Sequence, residues 1–155
     1  MMKNILCMVC FLFAASITYA QPKQKTPVQK PLPELQKFLT ASGLPYKMLN
    51  HTVAVIPYEG ENLTSYEVVV QKISDLYIVY TNLTEALPGK IDETKYKYLL
   101  QKNDEFDLIK IGMCGDDNAV YVRADIFKAA TTATLLTWII KQVANFTNIA
   151  AGDLK

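Results

Sequence analysis

Two side chains in this sequence carry the chemistry of a nucleophilic site. His51 is the only histidine, and Cys114 is one of three cysteines. Next to an acid such as Asp116, an imidazole could take the thiol proton and leave a thiolate nucleophile, as in a cysteine hydrolase. That reaction requires the three groups to converge, and nothing in their spacing brings them together. His51 stands just before a β-branched run, where a lone histidine reads as a surface turn residue. Cys114 follows a predicted strand, where cysteine behaves as a small buried hydrophobe. Oxygen ligands are the other chemical resource. Asp104, Glu105, Asp107, Asp116 and Asp117 gather at the two ends of one strand. Calcium needs several oxygens at once, but the loop pattern D-x-[DN]-x-[DN]-G is absent and the strand separates the two groups. A solvated acidic turn is expected there, and no metal. Zinc would have one histidine and one cysteine to choose from.

No phosphate-binding glycine loop, nucleophile elbow or HExxH pattern occurs, so the sequence implies no cofactor and no enzyme chemistry. Asn62-Leu63-Thr64, Asn82-Leu83-Thr84 and Asn145-Phe146-Thr147 fit the N-glycosylation pattern, which matters only in a eukaryotic secretory route. The tyrosines are more telling. Most fall on predicted strands or a predicted helix, where an apolar ring with a polar tip suits half-buried positions and interfaces alike.

The elements that would position these groups begin after a leader. Lys3, the apolar run Ile5 to Ile17, and the small residue Ala20 read as a secretory signal peptide over residues 1–20, so the protein is expected to be exported, to the periplasm or beyond. The run is short for a membrane span, and no second stretch is long enough to be one. Removing it takes away Cys7 and Cys10. Cys114 then has no intrachain partner, and stability must come from a hydrophobic core. Removing Lys3 also turns 16 basic and 15 acidic residues into an even balance, which argues against nucleic acid as a partner. Residues 21–31 (QPKQKTPVQKP) have too little apolar surface to fold and read as a flexible linker.

A single α+β domain is expected over residues 32–148, with a frayed tail over 149–155. Its first helix runs from Pro33 to about Ser42, stopped by Gly43. Strands follow at Thr52–Ile56, Tyr66–Ile73 and Leu76–Tyr80, the last two joined by a hairpin turn at Ser74-Asp75. Pro88-Gly89 turns the chain into a helix capped by Asp92. Tyr96, Leu99, Leu100 and Asn103 share one face of that helix, and Asn103 reads as its stop, since asparagine tolerates the left-handed conformation. A strand from Phe106 to Ile111, a turn at Gly115–Asn118 and a strand at Ala119–Arg123 come next. The last helix spans about Lys128 to Thr147. The order α-βββ-α-ββ-α with local connections predicts an antiparallel sheet packed with helices.

Two places could meet a partner. Leu135, Leu136, Ile139, Val143 and Phe146 form one stripe on the last helix, and Trp138 and Ile140 flank it. The apolar sector is wider than one packing face needs, which fits a helix lying in a groove or one that also meets a second subunit. On the third strand, Tyr77 and Val79 lie on one face while Leu76, Ile78 and Tyr80 lie on the other. If both faces are apolar and helices cover only one, the second is a binding or dimer surface.

Several short segments resemble the type III secretion chaperone-like fold, in particular the YbjN-type domain family associated with bacterial sensory transduction regulation. They are Gly43-Leu44-Pro45-Tyr46; Val55-Ile56-Pro57-Tyr58-Glu59-Gly60; Leu99 to Asn103 with Phe106 and Ile109-Lys110-Ile111-Gly112; and Val122-Arg123-Ala124-Asp125-Ile126. They cover nearly all of the chain after the linker, and they are turns, helix ends and core positions rather than catalytic signatures. The resemblance implies a small dimer that binds a protein partner, often an extended segment. This chain departs from the secretion chaperones in its export signal and neutral charge. Together these point to an exported, non-enzymatic protein-binding domain, dimeric, with Trp138, Ile140, Tyr77 and Val79 as candidate interface residues. A pocket for a small apolar ligand between the sheet and the last helix is the alternative, and a cysteine-dependent hydrolase a remoter one.

Overall fold

The computed structural model describes residues 32–87, 91–114 and 119–154. The signal peptide, the linker and the turns at Pro88-Gly89 and Gly115–Asn118 lie outside the described residues. Among the described residues, no helix is long and apolar enough to cross a membrane.

The first helix, α1 (Glu34–Ser42), buries Leu35 and Leu39 and ends where Gly43 takes a left-handed φ of 70°. That conformation costs glycine little, so Gly43 stops the helix as its type predicts. The chain then enters a short strand that sequence alone does not reveal, β1 (Lys47–Met48), and continues through β2 (Val53–Tyr58), β3 (Tyr66–Ile73) and β4 (Leu76–Asn82). The β3–β4 hairpin turns at Ser74, the one non-glycine residue with positive φ among those described. A single-turn helix, α2 (Leu83–Ala86), follows at once, its amides capped by the Asn82 side chain. Next come α3 (Glu93–Gln101), capped by the Asp92 side chain on Lys95 N at 2.9 Å, a 3₁₀ turn over Lys102–Glu105, the strands β5 (Lys110–Cys114) and β6 (Ala119–Phe127), and the long helix α4 (Ala133–Asp153).

The six strands form one antiparallel sheet in the order β1-β2-β3-β4-β6-β5. The order α-βββ-α-ββ-α is therefore present, with β1 and α2 added. Helices α1 and α4 lie on one side of the sheet. Between them and the sheet sits the core, built from Val68 and Val70 of β3, Tyr77 and Val79 of β4, Val122 and Ala124 of β6, and Leu136, Ile139, Ile140 and Val143 of α4. Helix α4 packs on both the sheet and α1, so its apolar sector must be wide. The one buried threonine of α4, Thr147, is satisfied there, because its Oγ1 donates to Val143 O at 2.7 Å. The Tyr66 hydroxyl donates to Ala144 O at 3.0 Å and ties β3 to the same helix.

The C-terminus differs from expectation. Residues 149–153 continue α4 instead of fraying, and Ala150, Ala151 and Leu154 are buried. Small side chains let the last turns approach the β2–β3 loop closely. There the Asn148 amide oxygen accepts from Asn62 N at 2.9 Å and Leu63 N at 3.3 Å. Those long-range bonds hold the helix end down.

Candidate functional site

Strand alternation gives the sheet a second face that α1 and α4 do not cover. On β4, Tyr77, Val79 and Thr81 point inward, so Leu76, Ile78 and Tyr80 point outward. The register carries that outward set across the sheet: Val55 stands beside Val69, Val69 beside Tyr80, Tyr80 beside Arg123, and Arg123 beside Lys110. At one end Ile73, Leu76 and Phe127 form a parallel apolar row, with Phe127 70% and Ile73 44% exposed. The outward face of β4 is thus apolar as well, with Gln71, Arg123 and Asp125 beside it on β3 and β6, and α1 and α4 leave it uncovered. A groove of about 610 Å³ runs over this face, between Ile73 and Ile78 on one side and Leu108 and Met113 on the other. Gly112 contributes no side chain there, which deepens the floor beside Tyr121.

The two basic side chains facing the groove are held by nearby partners. Arg123 meets Asp125 in a two-pronged pair, Nε to Oδ1 at 2.7 Å and Nη2 to Oδ2 at 2.9 Å. Lys110 turns its ammonium onto the carbonyls of Asn103 (2.9 Å) and Phe106 (2.7 Å) at the groove rim. Burial raises the pKa of the Tyr80 phenol, and the Glu85 charge adds to the rise. These groups do not converge on a reacting atom. The arrangement is one that buries apolar and aromatic surface, about 2 kcal/mol for each large apolar side chain fully covered.

Each edge of the sheet carries a feature that works against a further strand. Beyond the two residues paired with β1, the outward-facing member of β2 is Pro57, which has no N–H to donate. On β5, the Asn103 side chain takes both backbone groups of Ile111, Nδ2 donating to its carbonyl at 3.0 Å and Oδ1 accepting from its N–H at 2.6 Å. Asn103 is therefore not a left-handed helix stop. It lies in the 3₁₀ turn after α3, where its amide imitates a neighbouring strand.

The interface residues expected from the sequence divide. Trp138 is 46% exposed on the side of α4 that faces away from the sheet. Ile140, Tyr77 and Val79 are in the core, so these three do not offer surface to a partner. Ile140 lies a half-turn from Trp138 and joins the buried stripe. Tyr77 packs edge-on to Phe38 of α1 at 6.0 Å, which makes the Tyr77–Val79 side the covered one. The open surface belongs to their alternates, with Phe127 and Ile73 the members that strand alternation on β6 and β3 could have revealed.

His51 and Cys114 are far apart. His51 sits exposed in the turn before β2, and Cys114 is on β5, four strand spacings across the sheet, about 19 Å. The acids Asp104, Glu105 and Asp107 are exposed, and Glu105 pairs with Lys102 at 2.9 Å; Asp116 and Asp117 lie outside the described residues. Asn62 packs on Gly152 and Asn82 caps α2, so both asparagines of the first two glycosylation patterns have structural work.

No protein-family model matches the sequence, and no curated protein matches it significantly. Solved structures do. YbjN from E. coli, a candidate transcription regulator, is similar at a TM-score of 0.56 and 12% identity, over 79% of this chain and 89% of that one. A chain of the heterodimeric ExoU–SpcU complex from the type III secretion system of Pseudomonas aeruginosa gives 0.54 at 15% identity, over 77% and 96%. A chain of the ExsC–ExsE complex gives 0.53 at 14%, over 76% and 88%. At such identities the likeness establishes the fold, and the fold is type III secretion chaperone-like.

Proposed function

We propose that this chain is an exported, non-enzymatic domain that binds a segment of a partner protein on its uncovered sheet face and works as a dimer. The observation that carries the proposal is the outward set Ile73, Leu76, Ile78, Tyr80 and Phe127, apolar on the sheet face that α1 and α4 do not cover. Two of the similar solved structures are protein–protein complexes, which supports a protein as the occupant. Pro57 and the Asn103 clamp favour docking by side-chain burial over strand addition. The groove of about 610 Å³ lies on the outward side of the sheet, which favours docking on that face.

The dimer contact is assigned to the exposed side of α4 around Trp138, opposite the partner face. Light scattering tests the division of labour. The wild type should have twice the chain mass, Trp138→Ala should fall to the monomer, and Phe127→Ser should keep the wild-type mass. A wild-type monomer would remove the dimer from the proposal, and dissociation by Phe127→Ser would move the dimer contact to the sheet.

A further inference from the structure

The β3–β4 ladder stops short. It runs from Ile73↔Leu76 to Val69↔Tyr80, yet β3 continues beside β2 to Tyr66 and β4 continues beside β6 to Asn82. The sheet therefore splits into a notch beyond Tyr80. By strand alternation the backbone groups of Glu67 and Asn82 face that notch, where the next pair of ladder bonds would be. The cause is local: Asn82 leaves the strand to cap α2, and Leu83 turns into the core. A groove of about 320 Å³ occupies the split.

Its lining is acidic and aromatic. The Glu67 and Glu85 carboxylates stand on it, and neither takes part in an ion pair found among the described residues. Tyr80 and Tyr121 form one wall, packed edge to face at 5.7 Å. The nearest base on the same strands, Arg123, is neutralised by Asp125. Two carboxylates, backbone carbonyls and aromatic faces are the groups that hold a guanidinium or ammonium. The notch shares Tyr80 and Tyr121 with the larger groove, so a segment crossing the open face passes its mouth.

We propose that the notch between β3 and β4 is a specificity pocket for an arginine or lysine side chain of the bound partner segment, with Glu67 and Glu85 as its charge partners. This rests on the partner-binding role proposed above for the sheet face. The probe is N-acetyl-arginine amide, titrated into the purified chain and followed by amide chemical shifts, with N-acetyl-citrulline amide as the neutral isostere. The expected result is saturable shifts at Glu67, Tyr80, Asn82, Glu85 and Tyr121 for the arginine compound and none for citrulline. Glu67→Gln with Glu85→Gln should weaken arginine binding by about tenfold or more while the rest of the spectrum stays folded. Equal shifts from citrulline, shifts centred elsewhere, or no shifts overturn the proposal. The amide probes the notch alone, so its failure leaves partner docking on the open face to be decided separately.

Discussion

The side-chain amide of Asn103 satisfies both backbone groups of Ile111, donating to its carbonyl at 3.0 Å and accepting from its N–H at 2.6 Å. An amide in this position does what a seventh strand would do. Replacing it should therefore leave two half-buried groups exposed to poor hydration. Asn103→Ala is expected to cost about 2 kcal/mol, with a lower urea midpoint and an unchanged m-value. Hydrogen exchange at the Ile111 amide should accelerate more than at its neighbours on β5. Unchanged exchange there would mean the clamp carries no protection.

A second contact should show strong coupling. A Cβ on Gly60 would collide with the Asn148 Oδ1 atom, the acceptor for Asn62 N and Leu63 N. Gly60→Ala must push that amide away. Gly60→Ala and Asn148→Ala should each cost about 2 kcal/mol, and the double variant little more than either, because both break the same bonds. Additive losses in a double-mutant cycle would contradict this.

Acid should act through Glu34. Burial opposes its ionised form, but Lys72 and Lys128, at 3.3 and 3.4 Å, outweigh burial and hold the carboxyl below the usual carboxylate range. A lowered folded pKa means the unfolded chain takes up the proton first as pH falls. The stabilising contribution is thus present above the unfolded value near 4.5 and is lost as pH drops through the folded value. The Tm difference between wild type and Glu34→Gln should shrink below about pH 4.5 and in high salt, since the pair is exposed. A difference that does not vary with pH would exclude this ion pair as its source.

Alkali should act through the tyrosines. Burial raises the pKa of Tyr58, Tyr66, Tyr77 and Tyr80, with the Tyr58, Glu34 and Glu85 charges adding at the last three in turn. Raised folded values make the neutral phenols stabilising below the unfolded value of 10.0 and destabilising to the fold as pH climbs past it. Part of the rise in absorbance at 295 nm, that of these four phenols, should be held back until circular dichroism reports unfolding. A single stage with the fold intact would show these phenols to be accessible.

The sequence was most legible where one residue type has one job. Gly43 ends α1, Asp92 caps α3, and Ser74-Asp75 turns the hairpin. It was least legible where both choices look alike. Alternation on β4 separates Tyr77 and Val79 from Leu76, Ile78 and Tyr80, but both sets are apolar, so periodicity cannot say which one the helices cover. The same ambiguity hid the role of Ile140, whose burial depends on α4 packing against α1 as well as the sheet. Asn103 stands out as an amide on an apolar helical face, yet its partner is eight residues on and across a turn that local pattern does not bring close. The notch at Glu67 depends on a ladder ending early, which no local pattern announces.

The open sheet face is tested most directly by photo-crosslinking from within it. Benzoylphenylalanine at position 127 should give a discrete adduct with a partner protein in cells that make this chain, while the same group at Lys97, exposed on α3, should not. Ile73→Asp, in the same apolar row, should reduce the position-127 adduct. No adduct from position 127, or the same adducts from both positions, would contradict a partner surface on this face.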